Sequence, residues 1–172
     1  MSEPAPKVLA AAAGDAALVR VEGRATFRLA PAFRQAIRAV SDAAAAAPVL
    51  VDMSAVSALD STFMGAMATI GFQAKKPGAA RVVFFGLTPP MLALLAGLGV
   101  DRVIDEVKGL PEGLDLSGLF ADLREVDAPR TSATEQAAMM YDAHETLTRV
   151  SPENLAKFKD VLAFLKQDMG GA

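Results

Sequence analysis

The segment VLVDMSAVSALDSTFMGAMATIGFQAKK, from Val49 to Lys76, combines a strand pattern with a helix pattern. Its first residues follow Pro48 and form a short apolar run, which is typical of a strand buried on both faces. We expect this strand to end at Asp52-Met53 and a loop to follow. Three small polar residues come next: Asp60, Ser61 and Thr62. Such residues cap helices by accepting hydrogen bonds from free N–H groups, so the segment predicts a helix that begins at Ser61.

The apolar positions of this predicted helix do not keep to one face. A helix at a protein surface normally carries a single apolar stripe. A second element is therefore expected to cover the other side. Phe63 and Met64 leave two interpretations open: exposed anchors for a partner beside the polar tip, or core residues.

The rest of the first 107 residues alternates strand and helix signals. A Gly14-Asp15 turn between two apolar runs predicts a β-hairpin. First-turn prolines, Pro31 and Pro89, mark two further helices, and the apolar run RVVFFG predicts a buried strand between them. With a weak last strand ending at Val107, the order is β-β-α-β-α-β-α-β. This order predicts an α/β fold in which helices cover a mixed, mostly parallel sheet.

Composition changes after Val107. Residues 108–130 contain three glycines and two prolines, and we interpret them as a connector with one short helix near Leu116–Leu123. Ser132 and Glu135 have capping-box spacing, and two one-faced helices follow. We therefore expect three segments: a domain at 1–107, a connector at 108–130 and a C-terminal helical hairpin at 131–172. The apolar stripe of the last helix needs burial against the domain, a second copy of the chain or a partner, and we favour the first two: Leu155, Phe158, Leu162 and Leu165.

Composition also excludes several classes of function. Lys and Arg number 17 against 20 Asp and Glu, so the chain lacks the basic surface of a nucleic-acid-binding protein. It has no cysteine and no apolar stretch of about 20 residues, so we expect a cytoplasmic protein without membrane insertion. No phosphate-binding loop, nucleophile elbow or metal-ligand spacing occurs, which predicts no cofactor and no metal. The sole histidine, His144, is interpreted as a solvated or core residue, and no enzyme is expected.

The stretch from Val49 to Gly65 resembles the STAS domains of anti-sigma-factor antagonists. Their pattern is an apolar strand, Asp-hydrophobic-Ser, a short loop, and then Asp-Ser-Ser/Thr-x-hydrophobic-Gly. In this chain the two halves are DMS, starting at Asp52, and DSTFMG, starting at Asp60. VEGRATF and TPPMLALLAGLGVDRVIDEV also resemble the family, and the likeness covers about Lys7 to Val107.

This resemblance implies a bacterial regulatory module that controls transcription by partner switching. A serine kinase of the anti-sigma type would bind it and phosphorylate Ser61, with Thr62 as the alternative acceptor, and a phosphatase is a further expected partner. The resemblance implies no cofactor. The residues expected to contact the partner are Arg24, Thr26, Asp60, Ser61, Thr62, Phe63 and Met64.

A second function stays open. STAS-type proteins also serve as constitutive structural adaptor subunits of transport complexes, without phosphorylation. In that case Ser61 and Thr62 only cap the helix and contact a partner subunit. A neighbouring gene for a serine kinase favours the first function, and a gene for a transporter ATPase favours the second.

Overall fold

The structure is a computed structural model that describes residues 2–44, 47–110 and 113–170. Within these residues the chain forms one six-stranded sheet and six α-helices. The strands are β1 (Lys7–Ala13), β2 (Ala16–Ala25), β3 (Val49–Leu59), β4 (Val82–Phe85), β5 (Asp105–Val107) and β6 (Arg124–Glu125). The helices are α1 (Ala30–Ala43), α2 (Ser61–Ala74), α3 (Pro89–Gly97), α4 (Ser117–Ala121), α5 (Ala133–Val150) and α6 (Glu153–Gly170). Positions 171 and 172, at the end of the predicted hairpin, lie outside the described residues.

The sheet has the strand order β5-β4-β3-β2-β1-β6. Strands β2 to β5 pair in parallel, whereas β1 pairs antiparallel with both β2 and β6. This topology confirms the predicted α/β class, the mostly parallel sheet and the order of the first eight elements. β3 lies between two parallel neighbours, and this position explains why its first residues are apolar on both faces.

β3 is longer than the apolar run that predicted it. The strand continues past Asp52 to Leu59, which pairs with Ala25 of β2. Two register irregularities interrupt the β2–β3 pairing, and such irregularities bend a strand without ending it. The expected loop after Asp52-Met53 is therefore wrong. The extension delivers Asp60 directly to the carboxyl edge of the parallel strands, where open α/β sheets place their functional sites.

The two faces of the sheet have separate cores. Under α1 and α2 the largest buried side chains are aromatic: Phe33, Phe63 and Phe84. On the opposite face, Leu116 and Leu119 at α4 pack against Leu18 and Leu50. The short helix predicted in the connector is thus present, and it buries Leu119 against the sheet. β6, which the sequence did not predict, adds a strand beside β1, so part of the expected connector belongs to the folded unit. The segment boundaries at 107 and 131 stay predictions.

The C-terminal helices dock on the domain. The predicted capping box is confirmed, because Ser132 Oγ accepts from the Glu135 N–H at 3.1 Å and the Ser132 N–H donates to Glu135 Oε2 at 2.7 Å. α5 packs on α2, and α6 packs on α5. The stripe of α6 is only partly buried: Leu165 is buried and Phe158 half-buried, but Leu155 is 56% exposed. The expectation that the whole stripe is covered is therefore wrong at Leu155.

The lengths and compositions of the helices bear on membrane crossing. In the described ranges, none of them combines the length and the apolar character that a membrane span requires.

Candidate functional site

Asp60 holds the tip of α2 in place. As the N-cap residue, it accepts from the Phe63 N–H through Oδ1 at 2.8 Å. Its other carboxylate oxygen accepts from the Phe27 N–H at 2.7 Å, and its own N–H donates to the Ala25 carbonyl at 3.1 Å. One carboxylate therefore joins the helix tip to the loop after β2. This arrangement brings Thr26 and the two predicted hydroxyl residues, Ser61 and Thr62, to the same edge of the sheet.

The two candidate hydroxyls at the tip have different environments. Ser61, the first residue of α2, is half-buried. Thr62 is only 2% exposed. Of these two hydroxyls, that of Ser61 is therefore the more accessible.

Ser61 has a partner that the sequence did not predict. Its Oγ lies 2.9 Å from Nε2 of His144, a residue 83 positions later on α5. His144 Nδ1 lies 2.7 Å from the Met140 carbonyl oxygen, which can only accept, so we assign the ring proton to Nδ1. In the neutral imidazole Nε2 then accepts, and the Ser61 hydroxyl donates to it.

His144 is a core residue, which agrees with the interpretation of the lone histidine. It is 3% exposed, and its ring meets the Phe158 ring edge-on at 5.0 Å between centroids. The sequence held a signal for this burial. His144 lies between Met140 and Leu147 at helical spacing, on the apolar side of α5. The pairing with Ser61 carried no such signal, because it depends on how two distant helices pack.

Phe63 and Met64 are not exposed anchors. Phe63 is 0% exposed and stacks on Phe33 with ring centroids 4.7 Å apart. Met64 is 6% exposed and belongs to the same core. Their interpretation as exposed partner contacts is therefore wrong for this conformation. The physical reason is that α2 is covered by the sheet on one side and by α5 on the other.

The end of β2 and the loop after it supply the accessible side of the site. Arg24 is exposed and Thr26 is half-buried. The Thr26 carbonyl accepts from the N–H groups of Leu29 and Ala30 at 2.9 and 3.3 Å, and these bonds start α1. The site therefore presents Arg24, part of Thr26 and part of Ser61 at one edge.

The family model described as MlaB, STAS domain matches residues 8–108, more than half of the chain. The chain belongs to the STAS domain family. This membership confirms the resemblance found in the sequence. The STAS domain thus contains the sheet through β5 together with α1 to α3, whereas α4, β6 and the hairpin with His144 lie outside the matched residues.

One solved structure similar to the chain is that of the anti-sigma factor antagonist SpoIIAA in its unphosphorylated form. It shares 13% sequence identity with this chain at a TM-score of 0.47, and the match covers 62% of this chain and 90% of that one. No curated protein sequence matches the chain significantly.

Asp52, a motif residue of the STAS domain, has a structural role. It is 1% exposed, and its carboxylate accepts from Arg20 Nη1 at 2.5 Å and from the Ser54 N–H at 2.9 Å. Arg20 Nε also donates to Glu22 Oε1 at 2.8 Å. This hydrogen bond lowers the pKa of Glu22, and Lys7 at 3.4 Å lowers it further. The sequence identified Asp52 as a motif residue, but it did not predict its hydrogen bonds with Arg20 and Ser54.

Acidification should weaken the STAS domain through Glu22. Its folded pKa lies below its ordinary value of about 4.3, so its ion pairs stabilise the fold above that pH. The contribution is lost as the pH falls through the folded pKa. Glu22→Gln should therefore reduce the pH dependence of the unfolding free energy below about pH 5. Urea unfolding at several pH values measures this effect, with the exposed Glu145→Gln as control. The same pH dependence in Glu22→Gln and in the wild type would contradict it.

Other features of the described residues do not converge on Ser61. Among residues 2–44, 47–110 and 113–170, no group of three or more His, Asp or Glu side chains is arranged to hold a metal. Depressions of about 470, 400 and 490 Å³ open on the surface, but neither Ser61 nor His144 lines any of them. The chemistry that the site offers is thus that of a hydroxyl at a helix N-terminus.

Proposed function

We propose that this STAS domain is a regulatory binding module switched by phosphorylation of Ser61 in a partner-switching pathway. The observation that carries the proposal is the placement of the Ser61 hydroxyl. Ser61 begins α2 at the carboxyl edge of the sheet, beside the exposed Arg24 near the end of β2 and the half-buried Thr26 of the following loop. A serine kinase of the anti-sigma type transfers the phosphate to Ser61, and a phosphatase removes it.

Electrostatics support a phosphate at this position. The first N–H groups of a helix lack partners within it, and the helix dipole places partial positive charge at this end. Both features stabilise an anion, so phosphoserine at the tip is compatible with a folded α2. A phosphate adds nearly two negative charges and three acceptor oxygens. A partner that fits the uncharged tip would have to desolvate that charge, and its affinity would fall.

The proposal includes no catalysis by the chain. The Ser61–His144 pair resembles part of a catalytic triad, but a main-chain carbonyl occupies Nδ1 where a triad has a carboxylate. His144 is also 3% exposed, so a substrate could reach it only by displacing α5.

The phosphate should be found on Ser61 and not on Thr62. Both hydroxyls lie at a helix tip that favours phosphate, but Thr62 is 2% exposed and Ser61 is half-buried. Phosphopeptide mass spectrometry of the protein purified from its native cells, across growth phases and stresses, maps the site. A chain carrying Ser61→Ala is the matched control and should lack the modified peptide. Phosphate on Thr62, or on neither residue in any condition, would contradict the proposal.

One observation favours the constitutive adaptor of a transport complex as a second candidate. The Ser61 hydroxyl is already engaged within the chain by His144, and Thr62 is buried, so both residues serve the fold. Under this candidate Ser61 stays unmodified, and the protein copurifies with a transporter ATPase. Copurification with a serine kinase supports the first candidate instead.

A further inference from the structure

One face of α2 is covered by α5 along its length. Ser61, Gly65 and Thr69 follow one another at four-residue spacing and therefore share this face. Ser61 bonds His144, and Thr69 Oγ1 donates to Thr146 Oγ1 at 3.2 Å. Between them Gly65 lies so close to α5 that an added Cβ would come within 2.8 Å of the Ala143 Cβ. A small residue on each helix thus permits a tight crossing next to the proposed acceptor.

The hairpin is fastened at a second place, on the end of α3. The buried Asn154 side chain donates to the carbonyl oxygens of Leu98 and Leu147 at 2.9 and 2.8 Å. Lys157 Nζ donates to the Gly97 carbonyl at 2.9 Å. These bonds satisfy carbonyl groups at the ends of α3 and α5. They hold α6 to the STAS domain without any contact to the tip of α2.

The face of α2 that α5 covers carries no charge. α2 carries no charged residue from Ser61 to Ala74, and Gly65 and Ala68 are buried under this packing. Removing α5 would therefore expose an uncharged helix face of small side chains with hydroxyl groups along it. The element that covers it lies outside residues 8–108, the part of the chain that defines the STAS domain.

We infer that phosphorylation of Ser61 expels α5 from this face of α2 and releases the C-terminal hairpin. The inference rests on the proposed function of Ser61.

Space and hydrogen bonding explain why phosphate expels the hairpin. The Ser61 Oγ and His144 Nε2 are 2.9 Å apart, so a phosphorus atom with three oxygens cannot fit between them. Phosphorylation also removes the proton that Ser61 donates to His144. The phosphate needs water or free N–H groups around its oxygens, and the buried His144 ring offers neither in its present position. The N-terminus of α2 keeps the phosphate, so α5 is the element that leaves.

Hydrogen exchange of the full chain tests this coupling, with phosphoserine installed at position 61 during synthesis. Amides of α5 and α6 in Ser61→phosphoserine should exchange more than about tenfold faster than in the unmodified chain. Ser2→phosphoserine, which adds the same charge at an exposed position, should exchange like the unmodified chain.

A second variant defines the signature of an open hairpin. Asn154→Asp replaces the donating amide by a carboxylate that faces two carbonyl oxygens, so it should release the same amides. Gln167→Glu makes the same change of charge at an exposed position of α6 and should leave them protected. The inference is overturned if the amides of α5 and α6 in Ser61→phosphoserine exchange as fast as in the unmodified chain, or more slowly. Slower exchange is expected if a protonated His144 pairs with the phosphate. Because the phosphate is installed during synthesis, this result is independent of whether cells phosphorylate Ser61, which the mass-spectrometric mapping decides.

Discussion

Phe63→Ala should lower the free energy of unfolding by about 3–5 kcal/mol, the usual cost of truncating a buried phenylalanine. The side chain is 0% exposed and stacks on Phe33 at 4.7 Å between ring centroids. Removal loses its apolar burial and leaves a cavity between α1 and α2 that the close-packed core cannot fill. Chemical denaturation of the full chain, followed by circular dichroism, measures the loss.

Phe164→Ala is the matched control for this experiment. The side chain is the same, but it is 63% exposed on α6, so its removal should change stability by less than about 0.5 kcal/mol. Similar losses at the two positions would contradict the buried placement of Phe63. A Phe63→Ala chain of normal stability would restore the interpretation of Phe63 as an exposed anchor.

Gly65→Ala should cost about 1–3 kcal/mol, the range for overpacking a well-packed core. The new methyl group would lie 2.7 Å from the Ala143 carbonyl carbon and 2.8 Å from its Cβ. These are main-chain and Cβ atoms, which cannot rotate away, so α2 and α5 must separate. The loss should appear as weaker protection of α5 and α6 in hydrogen exchange as well as in the unfolding free energy.

Gly97→Ala should have the opposite effect on stability at a second helical glycine. A Cβ added at Gly97 meets no atom within 4 Å. Because alanine loses less backbone entropy than glycine in a helix, this change should stabilise the chain by about 0.5–1 kcal/mol. If both glycine substitutions stabilise the protein, the tight crossing of α2 and α5 is wrong.

The sequence predicted those parts of the fold that local patterns determine. The apolar runs of β3 and β4, the prolines that start α1 and α3, and the Ser132 capping box all act through near neighbours in the chain. The strand β6 escaped prediction, because two residues are too few to show an alternating pattern. The full length of β3 also escaped, since its second half is held by irregular pairing with β2 and not by its own apolar residues.

The candidate site also has features that local sequence patterns predict and features that they do not. Asp60 as N-cap and Ser61 at the helix start were predictable, because a cap acts over three residues. The burial of Phe63 and Met64 and the bond from Ser61 to His144 depend on α5, whose position relative to α2 no local pattern encodes. The uncharged sequence of α2 did indicate that some element covers its second face. It did not indicate which one.

The crossing of α2 and α5 also has a consequence for the newly made chain. Ala143 follows Gly65 by 78 positions, so at about 5–20 residues per second the ribosome adds Ala143 roughly 4–16 s after it adds Gly65. During this interval the nascent STAS domain has an uncharged helix face with no helix to cover it. Chaperones and neighbouring nascent chains can then bind a face of α2 that α5 covers in the finished protein. Slow decoding of the codons for residues 108–132 would prolong that exposure and lower the yield of native protein, even though no amino acid had changed.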